Sequence, residues 1–451
     1  MSLRSAIVRA ARPVLQRESC LFCQLHIYPP VRGYASRIDS RFTITPEQSK
    51  RMSPAELRSM VDGRHRNRYF LDMRKAKLLV VPAPIADRIV LDFLAAEKNK
   101  VDPATNAQEL AKKHKMNIAA ISHTAMTLFF ITDLRDPTGR LPPSQNRMIA
   151  KNLLVACSAA KDVFATLQIL NSSYFSTYYS ISQAEHFARL CSPADFIQSG
   201  AMLRILAAEG DPSCITMEGL LLQREGHIDR AKATYRKALE VFDFTIHQNW
   251  PHPSALPWIP PWRPLAELLL SEPGSTAETR EEAKKILEKG AIKGDDPLAY
   301  WQLASFETGR TPFWFKCVTK AAASGHVEAA YNLGRFHMDA YQEPKSILQN
   351  KELEAMVNYA TSWQGNNSLK RLAIEWLDVA ALAGYKPAMM DLAELYDAEG
   401  DWELATEKLR SVIQPPPSGE LEEWPKLVKR ANMRMADLNK RQLKTRKRRQ
   451  S

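Results

Sequence analysis

The residues of this sequence that could bind a metal are widely separated. Among the ten histidines, His247 and His252 stand five positions apart, but no cysteine and no second histidine pair lies near them. A structural zinc ion requires four ligands. The sequence therefore predicts no metal site.

The six cysteines do not form a metal or redox motif. Cys20 and Cys23 lie among the first 34 residues. The other four are separated by 34, 23 and 103 positions: Cys157, Cys191, Cys214 and Cys317. Unpaired cysteines at such intervals are typical of small buried residues in a reducing compartment.

Motifs that would place a phosphate or a nucleophile are also absent from the sequence. No G-x-G-x-x-G, G-x-x-x-x-G-K-[ST], G-x-S-x-G or H-E-x-x-H pattern occurs, and the chain has only 17 glycines in 451 residues. We therefore predict that the protein is not an enzyme, that it uses no cofactor and that it has no small-molecule substrate.

Three tryptophans stand out in the proline-rich stretch 249–265, NWPHPSALPWIPPWRPL: Trp250, Trp258 and Trp262. Proline prevents a helix here, and the indole rings require an apolar environment. One interpretation is a loop pinned to the protein by its own tryptophans. The other is a binding surface for a partner protein, since rigid aromatic side chains are frequent interface anchors.

Basic charge is concentrated in the two terminal segments. Residues 426–451 contain eleven Lys and Arg and one acid, and residues 1–34 contain five arginines and one acid. Of the total charge of +12, the 391 residues between them therefore carry −2. A nearly neutral body does not attract phosphate over long distances.

The C-terminal segment 426–451 is predicted to be a cap helix followed by a basic tail. The cap helix has one apolar face, formed by Leu427, Val428, Ala431, Met435 and Leu438. The tail contains the candidate residues for binding a polyanion, namely Lys444, Arg446, Lys447, Arg448 and Arg449. Its partner could be RNA, the mitoribosome or an anionic membrane, and the alternative is a tail that is simply solvated.

The N-terminal segment 1–34 has the composition of a mitochondrial transit peptide. It is rich in arginine, poor in acids and amphipathic at its start, MSLRSAIVRAARPVLQR. The sequence RGYAS resembles the fungal-type cleavage pattern, with Arg32 three residues before the cut, Tyr34 directly before it and Ala35 after it. We predict a mitochondrial protein, most simply of the matrix; the alternative is an ordinary basic N-terminus.

Internal repeats organise the second half of the chain. The segment 217–241 has small and large residues at the spacing of the tetratricopeptide repeat, which it resembles: Gly219, Ala231, Tyr235 and Ala238. Two further segments closely resemble the Sel-one-like branch of that family, in which a double alanine, a turn glycine and a leucine recur. They contain Ala321, Ala322, Gly325, Leu333 and Gly334, and Trp376, Ala380, Ala381, Gly384, Leu392 and Tyr396.

The sequence also contains two weaker copies of the repeat. One contains Ala283, Gly294, Leu303 and Ala304, with one additional residue in its turn, and the other contains Ala207, Ala208, Gly210 and Gly219. The resemblance implies an all-α fold, a right-handed α-solenoid of helix pairs with a less regular helical N-terminal half.

The predicted organisation has five parts. They are a transit peptide (1–34), a helical N-terminal region that could contain diverged repeats (35–199), repeats (200–413), a linker (414–425) and the basic C-terminal segment (426–451). The repeats include the Pro/Trp-rich loop 243–264 and an insertion at 339–368.

The predicted function is a non-catalytic mitochondrial scaffold or adaptor that binds proteins through its repeats, for example in the assembly of a respiratory or ribosomal complex. The alternative is an RNA- or mitoribosome-associated factor in mitochondrial gene expression. An enzyme is the third class, and a deep polar pocket would favour it.

Overall fold

The computed structural model describes residues 52–131, 141–178, 182–244, 256–272, 276–361, 368–416 and 422–450. In the last helix, side chains are described through Arg441. Within these ranges the regular structure is helical and contains no strand, which confirms the predicted all-α class. The chain divides between Ala283 and Lys284 into two compact units, named here the N-terminal unit and the C-terminal unit.

The N-terminal unit is a series of helices in which most helices pack against the next along the chain. They are α1 (Pro54–Lys75), α2 (Ala83–Lys98), α3 (Pro103–Lys113), α4 (Ile118–Phe129), α5 (Asn146–Ala159), α6 (Val163–Tyr178), α7 (Ser182–Ala188), α8 (Pro193–Ala208), α9 (Pro212–Arg224), α10 (Ile228–Val241) and α11 (Trp262–Ser271). The division point between the units lies within α12 (Ala277–Glu288).

Local sequence determines where several of these helices begin. Ser53 accepts a hydrogen bond from the backbone N–H of Glu56, and the Glu56 carboxylate accepts one from the backbone of Ser53, so α1 starts with a capping box followed by proline. Asp102 caps α3, because its side chain accepts a hydrogen bond from the backbone N–H of Thr105. Both starts agree with the sequence, where a capping residue precedes proline.

The core of the N-terminal unit includes much of α4. Ile121, Ala125 and Leu128 are fully buried on this helix. Most of the side chains that α4 directs toward the core are apolar. Their burial provides the main stabilisation of such a helix. Among the described residues, no helix combines the length and hydropathy that a membrane span needs.

The C-terminal unit continues as a further series of helices. After a π-helical turn (Lys289–Lys293) come α13 (Pro297–Ala304), α14 (Pro312–Ala323), α15 (Val327–Gln342), α16 (Pro344–Ile347), α17 (Lys351–Thr361), α18 (Ser368–Leu382), α19 (Lys386–Ala398), α20 (Trp402–Ile413) and α21 (Pro425–Gln450). The main packing order is α14, α15, α18, α19, α20, α21. The two helices α16 and α17 lie within the predicted insertion 339–368, whose first residues belong to α15.

Candidate interaction surfaces

The two best repeat copies share one turn geometry. Gly325 and Gly384 both have a φ of +92°, a left-handed conformation that glycine adopts without a Cβ penalty. The N–H of Gly384 donates to the carbonyl of Ala381 and the N–H of Tyr385 donates to that of Ala380. Gly325 and the residue after it make the same two bonds to the other alanine pair. The double alanine therefore supplies the carbonyls that close the turn.

Small residues also mark where the helices cross. A Cβ on Gly219 would lie 2.4 Å from the Tyr235 ring, and one on Gly334 would lie 2.8 Å from Leu377. Both glycines stand nine residues after a turn glycine, Gly210 and Gly325. Most of the other repeat-signature residues are buried, namely Ala231, Ala238, Ala321, Ala322, Leu333, Ala380, Ala381, Leu392 and Tyr396, while Trp376 is partly buried.

The weaker copy around Gly294 accommodates its additional residue in an unexpected way. The helix widens into the π-helical turn Lys289–Lys293, and the N–H of Asp296 donates to the carbonyl of Gly290. The left-handed residue is Asp295, with a φ of +46°, whereas Gly294 has a φ of −90°. The extra residue is therefore absorbed inside the helix end and not by the glycine.

Helix α19 carries acidic side chains at every third position, which places them on one face. They are Asp391, Glu394 and Asp397. Arginines from the helices on both sides reach this stripe. Arg335 of α15 lies 3.1 Å from Asp391, while Arg430 and Arg441 of α21 contact Glu394 and Asp397. We call the surface made by α15, α19 and α21 the paired-charge face.

Aromatic side chains accompany these charges. The rings of Tyr331 and Tyr385 lie 5.2 Å apart, and those of Tyr385 and Trp424 lie 5.6 Å apart. All three are partly buried, and burial raises the pKa of Tyr385 to about 12. The Asp391 carboxylate raises the pKa of Arg335 by accepting its hydrogen bond. Tyr385 therefore stays neutral and Arg335 stays charged over the whole neutral range.

The paired-charge face combines the residue types that anchor protein interfaces. Exposed ion pairs add little to stability, so Arg335 and Arg430 can make other contacts at little cost to the fold. The side chains of Arg335 and Arg430 are 49% and 56% exposed. Their planar groups can still bind a carboxylate or a carbonyl of a partner beside the tyrosine rings. The regular spacing of three in α19 was a signal for this stripe that our sequence interpretation missed.

The tryptophan-rich segment lies against the protein. Trp262 is 2% exposed and begins α11, and its ring stacks at 5.5 Å on Phe244. Trp258 is partly buried and stacks at 5.8 Å on Phe242. This placement favours the interpretation of a pinned segment and removes Trp262 from any exposed partner-binding surface. Trp250 lies outside the described residues.

The C-terminal helix α21 is longer than the sequence analysis predicts. It begins at Pro425 and its backbone remains helical to Gln450, so there is no break between a cap and a tail. Ala431 and Leu438 are buried as the predicted apolar face requires. Arg441, which we placed in the tail, lies 2.7 Å from Asp397 and belongs to the docked part.

The remaining predicted site residues fall outside the described parts. The side chains of Lys444, Arg446, Lys447, Arg448 and Arg449 are not described, and neither are Arg32, Tyr34 and Ala35 of the predicted processing site. Whether these residues act as predicted therefore stays open to experiment.

Side chains capable of metal or thiol chemistry form no site within the described ranges. No group of three or more His, Cys, Asp or Glu that could hold a metal occurs there. Cys157, Cys214 and Cys317 are buried, as predicted, and Cys191 is partly buried. Burial raises the pKa of the Cys191 and Cys317 thiols to about 12, which keeps them protonated and unreactive.

The recurring turns and crossings define a helical repeat protein. No protein-family model and no curated protein matches the sequence. Among solved structures, the chain is similar to a protective antigen present in uropathogenic Escherichia coli strains that displays an SLR fold. The identity is 17%, the TM-score is 0.38, and the alignment covers 96% of this chain and 90% of that chain. A similarity of this size carries no statement about function.

Proposed function

We propose that the protein is a non-catalytic scaffold or adaptor of the mitochondrial matrix that binds a partner protein on the paired-charge face. The observation that carries the proposal is the combination of exposed arginines and partly buried aromatic rings in one row. Arginine, tyrosine and tryptophan are the residues that contribute most to protein interfaces. The arginine-rich segment 1–34 supports the mitochondrial location.

The test compares two variants of the tagged full chain by crosslinking and mass spectrometry in isolated mitochondria. The double variant Tyr331→Ser/Arg335→Ser changes the paired-charge face. The matched control is Leu382→Ser, which changes a side chain that is 82% exposed outside this face. We expect the double variant to lose a crosslinked partner that the control retains. A partner retained equally by both variants would contradict the proposed face.

A second candidate is an RNA- or mitoribosome-associated factor, and the charge of residues 426–451 favours it. This segment carries +10 on 26 residues, whereas the body carries −2. Counterions released from phosphates would make its association depend steeply on salt. Because Arg441 helps to dock α21, the informative deletion removes 442–451 and leaves that contact in place.

The two candidates give opposite results with nuclease. A partner bound to the paired-charge face survives nuclease treatment and survives deletion of 442–451. A ribosomal or RNA association is lost with nuclease, weakens with salt and disappears with the deletion. Loss of every partner after nuclease would overturn the scaffold proposal in favour of the RNA-associated factor.

A further inference from the structure

Two polar side chains in the N-terminal unit are buried where a helix surface would normally be apolar. Gln168 and Asn171 of α6 are 1% and 5% exposed. A buried amide without hydrogen-bond partners would be costly. Both amides find their partners in a segment more than eighty residues further along the chain, which explains why they are retained in the interior.

The partners of these amides are backbone groups. The N–H of Leu256 donates to Gln168 Oε1 at 2.7 Å, and Gln168 Nε2 lies 3.5 Å from the carbonyl of Leu256. Asn171 Nδ2 donates to the carbonyl of Pro257 at 3.4 Å. In an extended chain the N–H and C=O of one residue point to the same side, so one side-chain amide can contact both. A helical ligand could not make this contact, because its backbone groups are already paired.

The side chain of Leu256 is buried in apolar surroundings beside these amides. Leu256 is 5% exposed, and together with Met126, Phe129 and Phe130 of the α4 end and Phe187 of α7 it lines a small cavity. The rings of Phe129 and Phe187 pack edge to face at 5.1 Å. Such surroundings accept an aliphatic side chain and exclude a charged one.

The residues that follow Leu256 suit an extended ligand. Pro257 and Pro260 are buried, and proline lacks the N–H that would otherwise need a partner. Pro261 already has a helical φ and ψ and begins the turn into α11. Proline also fixes φ, so little conformational entropy is lost when such a chain binds. The chemistry of the groove thus matches an aliphatic residue followed by proline in an extended backbone.

We propose that the groove formed by α4, α6 and α7 is a binding site for extended peptides with an aliphatic residue followed by proline. The chain's own residues 256–260 occupy it as a built-in ligand. A partner peptide of the same chemistry competes with this segment for Gln168, Asn171 and the apolar surroundings of Leu256. This site is separate from the paired-charge face and does not depend on the function proposed for that face.

An intramolecular ligand has a high effective concentration, in the millimolar range for a short connection. It therefore masks the groove unless its own contacts are weakened. Replacing the leucine by a charged residue should release the segment, since a carboxylate would be buried without a partner. The groove would then be open to a peptide added in solution.

The experiment uses a fluorescein-labelled peptide with the sequence of residues 254–261, SALPWIPP, and the full chain. By fluorescence anisotropy, Leu256→Glu should bind the peptide at least about tenfold more tightly than the wild type. The double variant Leu256→Glu/Gln168→Leu should lose this gain. A peptide with glutamate in place of its leucine is the matched control and should not bind. Circular dichroism establishes that each variant retains its helices.

A folded Leu256→Glu variant that binds the peptide no better than the wild type would overturn the proposal and make residues 256–260 a fixed part of the core. If that variant does not fold, a second measurement uses Leu256→Ala, which weakens the built-in ligand without burying a charge. A peptide carrying photo-leucine at the leucine position should crosslink to this variant at Met126, Phe129 or Phe187. Crosslinks elsewhere, or none at saturating peptide, would equally overturn the proposal.

Discussion

Two turns, one in each unit, have the same hydrogen bonds with different residues in the left-handed position. In the C-terminal unit, Gly384 is left-handed, and its N–H and that of the next residue bond back to Ala381 and Ala380. In the N-terminal unit, Lys161 has a φ of +67°, and the N–H groups of Lys161 and Asp162 bond back to Ser158 and Cys157. The hydrogen bonds are the same, although a lysine stands where the other unit has a glycine.

This substitution recurs along the N-terminal unit. Four lysines have a positive φ directly after a helix end: Lys77, Lys100, Lys115 and Lys161. The repeat positions around Lys161 also agree with those around Gly384. Ala165 and Ile169 are buried four and eight residues after the lysine, just as Ala388 and Leu392 are after the glycine. The N-terminal unit therefore contains a turn of the repeat type whose glycine has been replaced.

The largest predicted effect tests the close helix crossings of the C-terminal unit. A methyl group in Gly334→Ala would lie 2.8 Å from Leu377 and 3.1 Å from the carbonyl oxygen of Ala373. Because the second contact is backbone, α18 must move, and we expect a loss of about 2–3 kcal/mol in the free energy of unfolding. Urea denaturation measures it. Gly309→Ala is the control, since nothing lies within 4 Å of that position.

This variant also sharpens the comparison between the units. The residue nine positions after the turn is Gly334 for the glycine turn at Gly325 and Leu170 for the lysine turn at Lys161. Leu170→Ala should lose stability by leaving a cavity, whereas Gly334→Ala loses it by overpacking. If Gly334→Ala were as stable as Gly309→Ala, close crossing would not distinguish the glycine turn from the lysine turn.

The next prediction uses one histidine in each unit: His123, which is partly buried, and His337, which is 1% exposed. Burial lowers the pKa of His123, beside Phe164, and of His337, beside Phe336, to about 4. The unfolded pKa of histidine is near 6.5. Their contribution to stability is therefore complete above about pH 6.5 and is lost as the pH falls toward 4. Between pH 6.5 and 5, His337 alone accounts for roughly 2 kcal/mol.

Thermal melts between pH 7.5 and 4.5 measure this loss. His337→Leu should show a weaker decline in melting temperature with falling pH than the wild type, and His123→Leu should show the same in the other unit. The difference between variant and wild type removes the contribution of carboxylates. A decline that is unchanged in both variants would mean that the two histidines titrate normally.

These comparisons explain which parts of the fold the sequence predicts. The positions of Gly325, Gly384 and their alanine pairs follow from the sequence, because a left-handed turn favours glycine and a buried crossing favours alanine. The turn at Lys161 does not follow, since lysine in a sequence carries no signal for a positive φ. The contact of Gln168 with Leu256 is also hidden, because a hydrogen bond from a buried amide to a distant backbone has no periodicity.

A smaller effect is expected from changing a turn glycine. In Gly384→Ala nothing lies within 4 Å of the added methyl group, so the cost comes from the φ of +92° alone. We expect a loss of about 1 kcal/mol, or roughly 2–4 °C in melting temperature. Gly384→Lys should cost about the same, since the strain arises at Cβ. A neutral result for both would mean that the two units tolerate either residue equally.

The smallest effect is the reverse change in the N-terminal unit. Lys115 is exposed with a φ of +53°, and its N–H bonds to the carbonyl of Lys112 at the end of α3. Lys115→Gly removes the Cβ strain but adds freedom to the unfolded chain and removes a cation near a helix C-terminus. The relief of strain opposes the other two effects. We therefore expect the free energy of unfolding to rise by only about 0.5 kcal/mol.

Lys115→Ala separates the two causes, because it removes the charge and retains the Cβ. If strain dominates, urea denaturation should rank glycine above lysine, with alanine equal to lysine or slightly below it. If the charge dominates, glycine and alanine should both be less stable than lysine. The second ranking would mean that the lysines stand at these turns for their interaction with the helix end. The N-terminal turns would then differ from the glycine turns in what stabilises them, and not only in the residue that adopts the left-handed conformation.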